Sequence, residues 1–219
     1  MATHLDLEEQ EQLDQFKHFW AKYGNLISWV LIVVFGAIAA WNGWNYWQRT
    51  QAAKAAALYD AVEQAAGAKD INRLEQALGD MQAGFGGTTY AAQSALLAAK
   101  LQFEASQVDK ARASLTWVMN NSKDDAYVAV ARLRLAALEL EIKNPEQAMK
   151  ALDAEVPASF EPLVADRRGD VLLLQGKGDE AKAQFEKAWS ALAADSEYRR
   201  LVEVKLASLG VNKTAVEAK

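Results

Sequence analysis

From Tyr23 to Gln48 the chain carries no charge, and the stretch from Leu26 to Trp47 is mostly apolar. At ~1.5 Å per helical residue that stretch reaches about 33 Å, close to the hydrocarbon thickness of a bilayer. Its ends are marked by aromatics: Phe19, Trp20 and Tyr23 at one, Trp41, Trp44, Tyr46 and Trp47 at the other. Amphipathic rings at both ends form the belt that two lipid–water interfaces favour. Five of the seven tryptophans lie between Trp20 and Trp47, a bias that packing of a soluble core does not generate. The pattern predicts a transmembrane helix over residues 25–47 with membrane lipid as its partner.

The competing reading is a cleaved secretory signal, because Leu26 to Phe35 is followed by the small-residue triplet Ala37-Ile38-Ala39. The preceding leader argues against it. Residues 1–24 hold Asp6, Glu8, Glu9, Glu11 and Asp14 but only Lys17 and Lys22, whereas the n-region of a signal is basic. A cleaved signal also has no use for the second aromatic belt. Charge counting leaves orientation tied, with Lys17 and Lys22 on one flank and Arg49 and Lys54 on the other. The leader itself reads as a short amphipathic helix over residues 5–23, with Leu13, Phe16, Trp20 and Tyr23 on one face. A helical extension of the anchor stopping at Gly24-Asn25 is the alternative.

Past the anchor remain about 170 residues, enough for one domain with its own core. They are rich in alanine, poor in alternating β-branched runs and nearly neutral, which predicts an all-α body without an electrostatic footprint for nucleic acid. The chain has no cysteine, so disulfides and thiolate chemistry are excluded. Apolar periodicity and breakers divide the body, residues 48–211, into helical hairpins at about 49–83, 88–121, 125–153 and 161–194. A capping helix over 196–209, with Leu201, Val204 and Leu206 as its apolar face, and a polar tail over 212–219 follow. Asp70 is placed as an N-cap, Gly84-Phe85-Gly86-Gly87 as the stop of the first hairpin, and all three prolines at helix junctions or starts.

A repeat emerges when Ala111, Ala148 and Ala181 are set at one position of successive second helices. Their two spacings fall on either side of the roughly 34-residue period of a tetratricopeptide repeat. The fourth hairpin matches that repeat best, through Gly169, Leu172, Gly178-Asp179-Glu180-Ala181, Phe185 and Ala188. Ala99 and Ala136 take the Gly169 position in the preceding hairpins, and Leu115 and Leu152 take the Phe185 position. The first hairpin fits poorly. Carried along the chain, this register places Leu96, Lys100, Phe103, Leu133, Ala137, Leu140, Asp166, Asp170 and Leu173 on an inward face. Such a face suits a partner helix or an extended apolar peptide. The same leucines could equally be hairpin core.

Three features together resemble the YfgM family of bacterial inner-membrane proteins, ancillary subunits of the SecYEG translocon. They are Glu8-Glu9-Gln10 leading into Phe16-Lys17-His18-Phe19-Trp20 and Tyr23-Gly24, the segment Gly43-Trp44-Asn45-Tyr46-Trp47, and the repeats that follow. The resemblance implies a cytoplasmic leader, one span in the inner membrane and a periplasmic repeat domain. It further implies association with SecYEG and with a PpiD-type periplasmic chaperone, and assistance to newly translocated client polypeptides. The alternative function is a membrane-tethered scaffold for an envelope or cell-division complex.

Catalysis finds little support in the residues. The only histidines, His4 and His18, precede the span and cannot meet body residues across a membrane for metal binding or acid–base work. Gly84 to Gly87 lacks the Lys-Ser/Thr that completes a phosphate-binding loop. The expectation is a non-enzymatic interaction protein with no cofactor and no metal.

Overall fold

The computed structural model describes residues 7–211. His4 and the tail 212–219 lie outside the described residues. Among the described residues the chain is helical, without strands: α1 (Leu7–Gly67), α2 (Ile71–Phe85), α3 (Thr89–Glu104), α4 (Val108–Asn121), α5 (Asp125–Glu141), α6 (Pro145–Leu152), α7 (Glu161–Leu174), α8 (Gly178–Ala191) and α9 (Glu197–Ser208). A 3₁₀ turn, Ala158–Phe160, precedes α7. The chain divides into two units, one ending at Gln51 and the other beginning at Ala52.

The first unit is helical throughout its described length, without the interruption that Gly24-Asn25 suggested. Gly24 lies within the helix under the Trp20 indole, and a Cβ there would come within 3.1 Å of that ring. Across the apolar stretch Leu26, Trp29, Ile32, Val33 and Phe35 are exposed, and α1 is long and apolar enough to cross a membrane. An exposed apolar surface of that extent suits lipid rather than water. The belt residues Phe19, Trp20, Tyr23, Trp41, Trp44, Tyr46 and Trp47 are all exposed too, with Phe19 beside Tyr23 and Trp44 beside Trp47.

The second unit is built by one local device used repeatedly. Lys69, Ser106, Lys143 and Gly176 each have positive φ, between 53° and 76°, directly after the first helix of a hairpin. In each case the next residue's amide donates to a carbonyl five residues back: Asp70 to Ala65, Gln107 to Gln102, Asn144 to Glu139 and Lys177 to Leu172, at 2.7–3.0 Å. This left-handed closure satisfies carbonyls at the end of the first helix and turns the chain into the second. The closures at Ser106, Lys143 and Gly176 recur in step with Ala111, Ala148 and Ala181, and Lys69 extends the series to the first hairpin.

Five residues after each closure stand Leu74, Ala111, Ala148 and Ala181, all fully buried. Four residues later stand Leu78, Leu115, Leu152 and Phe185, also buried. The first hairpin therefore follows the same plan as the others. Its match is hidden in the sequence because Leu74 fills a position held elsewhere by alanine, and Val62 fills the position of Ala99, Ala136 and Gly169. Gly169 is the tightest instance, since a Cβ there would lie 2.6 Å from Phe185 Cδ1.

Caps secure the starts of several helices. Asp70 accepts from the Arg73 amide, Thr88 from Ala91 and Asp124 from Ala126. α2 ends within the Gly84-Phe85-Gly86-Gly87 stretch, at Phe85, where the Thr88 hydroxyl and amide both donate to the Phe85 carbonyl. On α9 the buried residues are Val202 and Leu206, whereas Leu201 and Val204 are exposed. The helix is rotated relative to the face read from the sequence, because Tyr198, Val202, Leu206 and Leu209 are the apolar residues at successive helical turns and pack on Ala181, Phe185 and Ala188.

Candidate partner groove

The first helices of the second to fourth hairpins, α3, α5 and α7, are neighbours in the stack. Two side-chain bonds set the register of the first pair: Gln93 Nε2 donates to Tyr127 Oη at 2.7 Å, and Arg134 Nη1 donates to the Leu96 carbonyl at 3.1 Å. Since 93 precedes 96 and 127 precedes 134, α3 and α5 run in the same direction.

Between them lies an open groove of about 450 Å³, lined by Ala99, Lys100, Phe103, Arg134, Ala137 and Glu141, with Leu115 and Leu138 at its floor. Lys100, Phe103 and Ala137 from the inward register meet here. Lys100 and Arg134 are exposed, Phe103 and Ala137 half-buried. Alanines at positions 99 and 137 leave the space that larger side chains would fill, and this makes the surface concave.

The other residues of that register lie outside this groove. Leu96 is buried in the core with Ala95, Ala99 and Leu138. Leu133 and Leu140 pack against the cluster formed by Ala136, Ala148, Ala151 and Leu152. Leu173 is exposed.

Asp166 is 1% exposed and closed over from α9: Tyr198 Oη donates to Oδ2 at 2.6 Å, and Lys205 Nζ donates to Oδ1 and Oδ2 at 2.8 and 2.9 Å. Lys205 also pairs with Asp170 at 2.7 Å, and Arg167 reaches the far oxygen of Asp170 at 3.3 Å. Leu96 and Asp166 are thus structural and not exposed to a ligand. Burial pushes the Asp170 carboxyl up, against the pull of the Lys205 ammonium. Burial, aided by the bond to Asp166, pushes the Tyr198 phenol well above its ordinary value.

A second buried carboxylate sits between α4 and α5, at the end of the pair away from their connection. Glu139, 2% exposed, accepts from Arg112 Nε at 2.6 Å and from Asn144 Nδ2 at 3.2 Å, while Arg112 also binds Asp109 at 2.6 Å. Sequence reasoning passes over Arg134, Glu139 and Lys205, whose partners lie 27 to 39 residues away. The one available signal is a polar residue at a repeat position that is apolar elsewhere: Gln102 and Glu139 stand where Leu172 stands in the fourth hairpin. Among the described residues no group of histidine, aspartate and glutamate side chains is arranged to hold a metal.

Comparison with known proteins agrees with this architecture. The model of a tetratricopeptide repeat-like domain matches residues 17–211, taking in the anchor as well as the body. The ancillary SecYEG translocon subunit of Neisseria gonorrhoeae is 35% identical over 213 residues, 95% of this chain and 100% of the relative. The chain belongs to the ancillary SecYEG translocon subunit family. The proteins of the same name from Haemophilus influenzae and Escherichia coli are each 30% identical, over 83% and 84% of this chain and 89% and 86% of their own lengths. This chain is accordingly a non-catalytic interaction module, and the α3/α5 groove is an open, largely apolar concavity of its repeat body.

Proposed function

We propose that this chain is an inner-membrane-anchored accessory subunit of the Sec translocon, with its leader in the cytoplasm and its repeat body in the periplasm. There the α3/α5 groove holds a PpiD-type chaperone and, through it, assists newly translocated polypeptides. The full-length likeness to proteins named ancillary SecYEG translocon subunits carries the reading, since it takes in both the apolar helix and the repeats. The groove supports it physically: its half-buried apolar side chains Phe103 and Ala137 stay in contact with water without a partner, and covering them removes that area from water.

Copurification of the intact chain from mild detergent tests the assignment. SecYEG subunits and a membrane-anchored chaperone are expected in the eluate; envelope-assembly proteins without SecYEG would overturn it. Protease added to sealed spheroplasts tests the orientation. Digestion of the body from outside is expected, and protection until lysis would put the body in the cytoplasm and end the chaperone role.

A further inference from the structure

The charges around the α3/α5 groove are ordered along it. Because Arg134 donates to the Leu96 carbonyl, its guanidinium stands level with the turn that holds Leu96 and Lys100. Glu141 lies seven residues further along α5, about 10 Å away. Glu104, one turn past Lys100 and 3.8 Å from its ammonium, shares the downstream end. The groove therefore carries Arg134 at one end and Glu104 and Glu141 at the other, where Lys100 offsets Glu104 and leaves the net negative charge to Glu141, with Phe103, Ala137 and Leu138 between.

Its walls are helices whose backbone groups are already bonded within the helices. An extended peptide laid on Phe103 and Ala137 would place its own amides and carbonyls over apolar side chains with nothing to pair them. A helix arrives with those bonds made and presents only side chains. Seven residues of helix also span about 10 Å, matching the separation of the charged ends.

We propose that the groove takes an amphipathic helix of a partner protein that carries an acidic and a basic side chain seven positions apart, with large apolar residues between them, the acid over Arg134 and the base over Glu141. This rests on the groove being the partner site, and it names the chemistry by which that site selects.

The test uses the full-length protein in lipid nanodiscs and three fluorescent, helix-stabilised peptides. They share one leucine face and differ only at the two flanking positions: Glu/Lys, Glu/Glu or Lys/Lys. Anisotropy titration of the wild type is expected to favour Glu/Lys by about tenfold, with the preference fading at high salt. Arg134→Glu is expected to move the preference to Lys/Lys, and Glu141→Lys to move it to Glu/Glu. Each is read independently of the other and beside a circular dichroism spectrum, so one folded variant suffices.

Equal affinity for all three peptides, abolished by filling the groove with Ala137→Gln, would keep the groove and overturn its polarity. Binding indifferent to Ala137→Gln, or no binding of any peptide, would overturn the groove as the site and the polarity with it.

Discussion

The same repeat register produces opposite surfaces at two places in the body. Lys100 of α3, Ala137 of α5 and Asp170 of α7 are equivalent positions, yet the first two line an open apolar groove while Asp170 is tied to Lys205 of α9. The neighbouring helix makes the difference. Between α3 and α5 the small residues Ala99 and Ala137 leave a space that no side chain fills. At the end of the stack, α9 sends Lys205 and Tyr198 back onto Asp166 and Asp170, so a buried charge network takes the place of a further hairpin. Terminal repeats need such closure because they would otherwise expose an apolar face.

If the closed end is held by that network, removing its cation should have the largest effect. Lys205→Ala leaves Asp166 buried with Tyr198 as its remaining donor, and should lower unfolding stability by about 3 kcal/mol. Chemical denaturation of the wild type and variant measures this, and a loss below about 1 kcal/mol would show that apolar packing of Val202 and Leu206 holds α9 unaided. Next in size is Gly169→Ala, which drives a Cβ into the Phe185 ring and should cost about 2 kcal/mol by overpacking. The repeat itself carries alanine at the equivalent Ala99 and Ala136, where leucines replace the ring, so G169A in combination with Phe185→Leu should regain part of the loss.

Tyr198→Phe should cost about 1.5 kcal/mol at neutral pH, the worth of a hydrogen bond to a charged group. It should also change the alkaline limb. The phenol's folded pKa lies above its unfolded value of 10.0, so as pH rises past 10 the unfolded chain loses the proton first and stability falls. That fall should be shallower in the phenylalanine variant, and equal slopes would contradict burial of this hydroxyl. The smallest effect, and the one of opposite sign, concerns the hairpin closures. Lys143 adopts φ 59° without being glycine, and Lys143→Gly should stabilise the body by about 0.5 kcal/mol in the same denaturation assay.

Much of this is legible before any coordinates. The uncharged stretch with aromatic ends marks α1, and the spacing of Ala111, Ala148 and Ala181 carries the tetratricopeptide plan. What escapes does so for definable reasons. The first hairpin is obscured because Leu74 and Val62 are large where its relatives are small, and the shared feature, a left-handed turn at Lys69, is conformational. The face of α9 is ambiguous because Leu201, Val202, Val204 and Leu206 offer two apolar stripes in a short helix, and only packing against Phe185 chooses between them. Of the candidate groove residues, Lys100, Phe103 and Ala137 do come together. Asp166 and Asp170 fall on an open surface in the sequence register because the lysine that covers them lies 39 residues from the first, beyond any local pattern.

On the proposed function the open α3/α5 groove, not the closed α9 end, receives the partner. Ala137→Glu tests it most directly, because it fills the groove from a half-buried position without removing a core side chain. Full-length variant and wild type would be copurified from mild detergent beside a thermal melt of each. An unchanged melt to within a few degrees and at least a tenfold loss of the associated chaperone are expected. Full retention of that partner by a folded Ala137→Glu protein would contradict it.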